Sequence, residues 1–146
     1  MASFTKNSYL GNPQVKRDGV SEEWDKKKLR EYQKCMKDPA YFCRKYVKVV
    51  HLDKGLVPFD LYDYQENMFN HFNDNRFSIV LACRQSGKSI SSVGYILWYA
   101  VFHPEKTIAV LANKGATARE MLSRVTLMLE NLPFFLQPGC KALNKG

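Results

Sequence analysis

The sequence predicts an α/β fold, in which a parallel β-sheet flanked by helices follows a helical N-terminal segment. Two apolar runs, at 77–82 and 107–112, have the length and the apolar character of buried parallel strands. Each run is followed by a polar turn and then by a stretch whose apolar residues recur at helical spacing. Strand, turn and helix repeated in this order are typical of a doubly wound sheet.

Composition places the chain among ordinary globular domains. Of its 146 residues, 45% are hydrophobic and 25% are charged, which excludes a chain that is disordered throughout. Four cysteines without a Cys-x-x-Cys pair suit neither a disulfide scaffold nor a zinc knuckle, so reduced thiols are expected. The three histidines are scattered and indicate no metal site.

Charge and hydropathy indicate the partners and the location of the protein. A net charge of +8 favours polyanions such as nucleic acids or nucleotides. The polar start resembles no secretory signal, and no apolar stretch approaches the roughly 20 residues of a membrane span. We therefore expect a cytosolic protein with no membrane partner.

The N-terminal part of the chain divides into two predicted segments. Residues 1–20 are polar, lack an apolar period and are predicted to be a flexible segment. Residues 21–57 are predicted to form a helical lead-in. Its predicted parts are a helix capped by Ser21 and ending near Pro39, a second helix over 39–46, and a hairpin over 47–57.

The remaining segment, 58–146, carries the strand-turn-helix pattern. Helices are predicted over 61–72, 90–102 and 116–132, and strands over 77–82 and 107–112.

The turn between the first predicted strand and its helix carries half of a phosphate-binding loop. In the pattern G-x-x-x-x-G-K-[ST], backbone N–H groups at a helix N-terminus surround the phosphates. Gly87, Lys88 and Ser89 match its second half, whereas Ala82 stands at the position of the first glycine. An ordinary turn would explain the glycine and the serine, but not a lysine at the positive end of a helix dipole. The loop therefore predicts a site for nucleotide phosphates, in which Lys88 would reach the terminal phosphates and the Ser89 hydroxyl would bind Mg²⁺.

The loop and its flanks resemble the large terminase subunit, the DNA-packaging motor ATPase of tailed bacteriophages, especially of the myovirus type. Residues 84–89 resemble the family's Walker A loop, which also lacks the first glycine and contains an Arg-Gln pair. The resemblance extends to 61–65, 108–115 and 132–139, and covers roughly residues 21–146.

The resemblance implies a role for each matching residue. Lys88 would contact the β- and γ-phosphates, Ser89 would hold Mg²⁺, and Arg84 would stabilise the γ-phosphate. Gln65 would hydrogen-bond the adenine edge, and Tyr64 would pack beside the base unless it belongs to the core. Gln85, Ser86 and Gly87 complete the nucleotide-binding loop.

Two elements of such an ATPase are absent from the sequence. No apolar strand ending in Asp-Glu follows Lys88, so the segment 58–146 is expected to be the N-terminal part of the ATPase domain, truncated before Walker B. The family's nuclease domain is also missing. We expect the chain to be a shortened piece, a split-gene product or a part joined later to its remainder. It is expected to lack hydrolysis alone and to be poorly stable or to aggregate through an unpaired sheet edge.

The resemblance also implies partners and a location. They are double-stranded DNA, the capsid portal, the small terminase subunit and the remainder of the ATPase domain, in the cytoplasm of the infected bacterium. Two alternatives stay open: a fragment of a helicase-type, nucleic-acid-dependent ATPase, and a non-catalytic fragment that binds a nucleotide or a partner.

Overall fold

The computed structural model describes residues 6–143, in which five helices accompany two small antiparallel sheets. Each sheet has two strands. In chain order the elements are β1 (Ser8–Tyr9), β2 (Asn12–Lys16), α1 (Lys26–Lys37), α2 (Pro39–Tyr46), β3 (Lys48–His51), β4 (Gly55–Pro58), α3 (Asp63–Asp74), α4 (Lys88–Phe102) and α5 (Gly115–Glu130).

The core is built around α4, which contacts α2, α3 and α5. Its buried face carries Val93, Leu97, Trp98 and Phe102. The indole N–H of Trp98 donates to the carbonyl of Cys35 at 2.7 Å, which ties α4 to α1. This packing fixes the helix whose N-terminus follows the predicted phosphate loop.

The helix predictions are largely confirmed. The second helix covers 39–46 as predicted, and α3, α4 and α5 begin and end within two residues of their predicted limits. The first helix begins later than predicted, because Asp25 and not Ser21 provides its N-cap. The Asp25 carboxylate accepts the backbone N–H of Lys28 at 2.6 Å.

An ion pair joins α1 to α2. Glu31 Oε1 accepts hydrogen bonds from Lys45 Nζ and from the Tyr41 hydroxyl, each at 2.5 Å. These bonds, first that of Lys45 and then that of Tyr41, lower the pKa of Glu31 to about 2. The ionised carboxylate therefore stabilises the contact between the two helices.

The predicted hairpin over 47–57 is confirmed as β3 and β4. Val49 pairs with Val57, and His51 pairs with Gly55, whose φ of +68° places it in the left-handed region. The hairpin tip carries the fully exposed side chain of Leu52. The tip lies beside the start of α4, where both border the same cleft.

Structure also occurs within the segment predicted to be flexible. The strands β1 and β2 pair there, and the chain after α5 holds them in place. Gln137 is buried and accepts the N–H of Lys16 at 2.8 Å, while its amide donates to the carbonyl of Gln14 at 2.9 Å. The local sequence has no apolar period because the hairpin depends on partners distant along the chain.

The predicted parallel sheet is not seen in residues 6–143. Neither 77–82 nor 107–112 pairs as a strand. Their large side chains project into solvent, with Ile79 96% exposed, Leu81 101% and Leu111 87%. An apolar run predicts a strand only where neighbouring strands supply backbone partners, and the described part of the chain supplies none to these two segments.

Within the same described residues, no helix combines the length and the apolar character needed to cross a membrane.

Candidate functional site

The loop before α4 turns sharply at two left-handed residues. Gln85 has a φ of 61°, and Gly87, the N-cap of α4, has φ 73° and ψ 7°. A Cβ on Gly87 would lie 2.7 Å from the Gln65 Nε2 atom, which is closer than a real Cβ contact allows. Both the left-handed backbone and the nearby Gln65 amide therefore favour glycine at this position.

The N-terminus of α4 has no local group that would cap it. Among residues 6–143 no side chain caps the helix, and the first turn of α4 contains no acidic residue. The Ser91 N–H bonds to the Gly87 carbonyl and begins the helical pattern. The backbone N–H groups of residues 88–90, which precede Ser91, have no acceptor within the helix. They are therefore suited to bind an external anion.

Lys88 adds a positive charge to this helix start. Its ammonium donates to the Cys83 carbonyl at 2.9 Å, and the Ser86 hydroxyl donates to the same oxygen at 3.0 Å. A charged phosphate oxygen is a stronger hydrogen-bond acceptor for an ammonium group than a neutral carbonyl. The loop thus holds the lysine in place without neutralising it.

The first turn of α3 reaches the same loop. The Tyr64 hydroxyl donates to the Ser86 carbonyl, and Gln65 lies behind Gly87. Tyr64 is half-exposed and stacks on Tyr62 with ring centroids 5.7 Å apart, so it is not a core residue. The structure therefore brings together the two segments that the sequence singled out.

Gln65 performs a structural task in this arrangement. Its side chain is 2% exposed, and its Oε1 atom accepts the N–H of Tyr62, the N-cap residue of α3, at 2.9 Å. Contact with an adenine edge would require the side chain to release Tyr62. The residue as it stands supports the loop from behind.

The other predicted site residues lie at the surface. Arg84, Gln85 and Lys88 line one cavity, while Gln85, Lys88 and Ser89 border a second cleft of about 460 Å³. Arg84, Gln85 and Ser89 are exposed. All of them are accessible to a ligand that enters from solvent.

Arg124 is a cleft residue that the sequence analysis missed. It lies in α5 and borders the second cleft together with Lys88 and Ser89. Nothing in a helix of ordinary amphipathic pattern distinguishes this arginine from Arg119, which is exposed on the same helix. Only the packing of α5 against α4 reveals its position.

A magnesium ion could take one protein ligand at this site. Residues 6–143 contain no group of three or more His, Cys, Asp or Glu side chains suited to holding a metal. The Ser89 hydroxyl is exposed at the second position of α4 and can provide one oxygen. This donor set fits Mg²⁺, which commonly takes its other ligands from substrate phosphates and water.

Comparison with models of known protein families finds no match for this chain.

Proposed function

We propose that this protein binds ATP with Mg²⁺ and forms the N-terminal part of the ATPase domain of a phage large terminase subunit. The observation that carries the proposal is the start of α4. A left-handed glycine is packed against Gln65, no side chain caps the helix, and Lys88 occupies the first helical position. This arrangement leaves N–H groups and a cation directed to an anion, which a triphosphate would supply.

Each loop residue has a proposed task. Lys88 would exchange the Cys83 carbonyl for the β- and γ-phosphates, and Ser89 would hold Mg²⁺, which neutralises phosphate charge when bound. The exposed Arg84 would reach the γ-phosphate. Tyr64 would pack beside the base, and Gln65 would read the adenine edge after releasing Tyr62.

The wider proposal concerns the complete motor. We infer that 77–82 and 107–112 are strands of a parallel sheet that a further part of the ATPase domain completes. Their exposed apolar side chains support this inference. In the motor, ATP hydrolysis would translocate double-stranded DNA into a capsid with the portal and the small terminase subunit, in the host cytoplasm.

One observation favours the non-catalytic alternative for this chain taken alone. Neither cavity beside the loop is bordered by a carboxylate among the described residues. Hydrolysis of this type needs acidic groups that organise Mg²⁺ and orient water. We therefore propose that the 146-residue chain binds ATP without turnover.

Calorimetric titration of the protein with Mg·ATP tests the proposal. Lys88→Ala should weaken binding by about tenfold or more, because it removes a charge-assisted contact to phosphate. Lys114→Ala is the matched control, since Lys114 lies at the N-cap of α5, a long helix that likewise has no side-chain cap, but does not border the cleft. Equal affinity of the Lys88 variant and the unchanged protein would refute the proposal.

A further inference from the structure

A second basic side chain approaches the loop from another helix. The cleft of about 460 Å³ beside the loop is bordered by Lys88 and Ser89 of α4 and by Arg124 of α5. Because α4 and α5 are packed together, the core holds the backbone from which the Arg124 side chain extends. The cleft is thus formed by the start of α4, by α5 and by the tip of the β3–β4 hairpin, whose Leu52 also borders it.

The charged side chains that line this cleft are all positive. Lys88 and Arg124 are its cations, and its described lining contains no carboxylate. The adjoining cavity, which shares Gln85 and Lys88, adds Arg84. Three cations around one loop favour a ligand with several negative charges over one with a single charge.

Arg124 already has a partner, but an exchangeable one. Its guanidinium lies 2.5 Å from Glu120 Oε1, in an ion pair between residues one turn apart on the same helix. Both side chains are exposed to solvent, at 43% and 61%, and such pairs contribute little to stability. A phosphate group that enters the cleft would compete well for the guanidinium, whose planar fork matches two phosphate oxygens.

We propose that Arg124 contacts the terminal phosphate of the bound nucleotide and makes the site select a triphosphate over a diphosphate. The inference rests on the proposed function. In this assignment the N–H groups at the start of α4 hold the inner phosphates, and Arg124, which borders the same cleft from α5, holds the terminal one. Arg124 is a specificity residue that exchanges Glu120 for the ligand.

Separate calorimetric titrations of the protein with Mg·ATP and Mg·ADP test this assignment. Arg124→Gln should weaken ATP binding by about tenfold and leave ADP binding unchanged, because only ATP carries the contacted phosphate. Arg124→Lys should recover part of the loss, since it keeps the charge but not the fork. Arg119→Gln, a change of an exposed arginine outside the cleft, should alter neither affinity.

The outcomes separate this proposal from the one on which it rests. The assignment of Arg124 would be overturned if its variants lost ATP and ADP affinity equally, or lost neither. The proposal that the unchanged protein binds ATP would stand in both cases. Failure of the unchanged protein to bind either nucleotide would overturn the proposed function, and the role of Arg124 with it. Arg124→Lys serves as the second variant if Arg124→Gln does not fold.

Discussion

Gly87 combines two constraints at one position. Its φ of 73° lies in the region that side chains disfavour, and an added Cβ would meet the Gln65 amide at 2.7 Å. Gly55 in the β3–β4 turn has a similar φ of +68°, but nothing lies within 4 Å of its Cβ position. Substitution at Gly55 therefore tests the cost of left-handed backbone alone, whereas substitution at Gly87 adds the cost of the contact with Gln65.

We predict that Gly87→Ala lowers the free energy of unfolding by more than Gly55→Ala does. Left-handed backbone costs about 1–2 kcal/mol in either variant, and only the first variant must also displace Gln65. Urea unfolding of both variants measures the difference. Equal losses would show that Gln65 does not press against the loop.

The sequence could predict which residues form the loop, but not how the residues around the loop are buried and packed. Gly87, Lys88 and Ser89 follow a pattern whose spacing depends on local backbone alone, and they lie at the start of α4 as predicted. The burial of Gln65 and the position of Arg124 depend on how α3 and α5 pack against α4. No local pattern reports such packing.

At the scale of secondary structure, the helices and the β3–β4 hairpin were predictable, whereas the pairing of 77–82 and 107–112 and the β1–β2 hairpin were not. The second helix has its signals within its own limits, with Asp38 as the cap and Pro39 at the first position. The segments 77–82 and 107–112 are apolar, but pairing needs partners from elsewhere in the chain. The β1–β2 hairpin is the converse case, since Gln137 and Cys140 hold a sequence without a strand pattern.

The ion pair between α1 and α2 predicts a pH dependence of stability. The hydrogen bond from Lys45 is the chief cause that lowers the pKa of Glu31 to about 2, well below the usual range of a glutamate. Its stabilising effect is therefore complete above the unfolded pKa and is lost as the pH falls toward 2. Between pH 5 and pH 3, Glu31→Gln should lose less stability than the unchanged protein does in urea unfolding.

The Lys45→Met variant provides the control for this pH dependence. It removes the main cause of the lowered pKa and should reduce the acid sensitivity in the same way. An unchanged slope in both variants would contradict the assigned role of the pair.

At the scale of the whole molecule, Gln137 joins the two ends of the described chain. Its amide nitrogen also lies within hydrogen-bond distance of the carbonyls of Leu129 and Leu132, at 3.0 and 2.7 Å, so its two N–H groups are shared among three carbonyl oxygens. Gln137→Leu leaves several buried backbone groups without partners, and each such group costs about 1–3 kcal/mol. We expect a loss of at least about 2 kcal/mol in urea unfolding.

The exposed Gln14 side chain supplies the matched control for that variant. Gln14→Leu keeps the backbone carbonyl that Gln137 contacts and should change stability by less than about 0.5 kcal/mol. Similar losses in the two variants would show that Gln137 does not hold the hairpin.

The exposed apolar segment predicts self-association of this chain. Ile79 and Leu81 are 96% and 101% exposed in a run of apolar residues. Ile79→Ser combined with Leu81→Ser should reduce association in sedimentation velocity while hardly changing the melting temperature. A large fall in melting temperature would show that these side chains are buried in solution, and a monodisperse unchanged protein would contradict the association.

The central claim is that the start of α4 binds the phosphates of ATP. Its most direct measurement is an NMR titration of the ¹⁵N-labelled protein with Mg·ATP, which follows the amide signals of Gly87, Lys88 and Ser89. The account predicts large, saturable shifts of these signals, and none of comparable size at the start of α5. Unchanged loop signals at saturating ATP, or shifts confined to other surfaces, would contradict it.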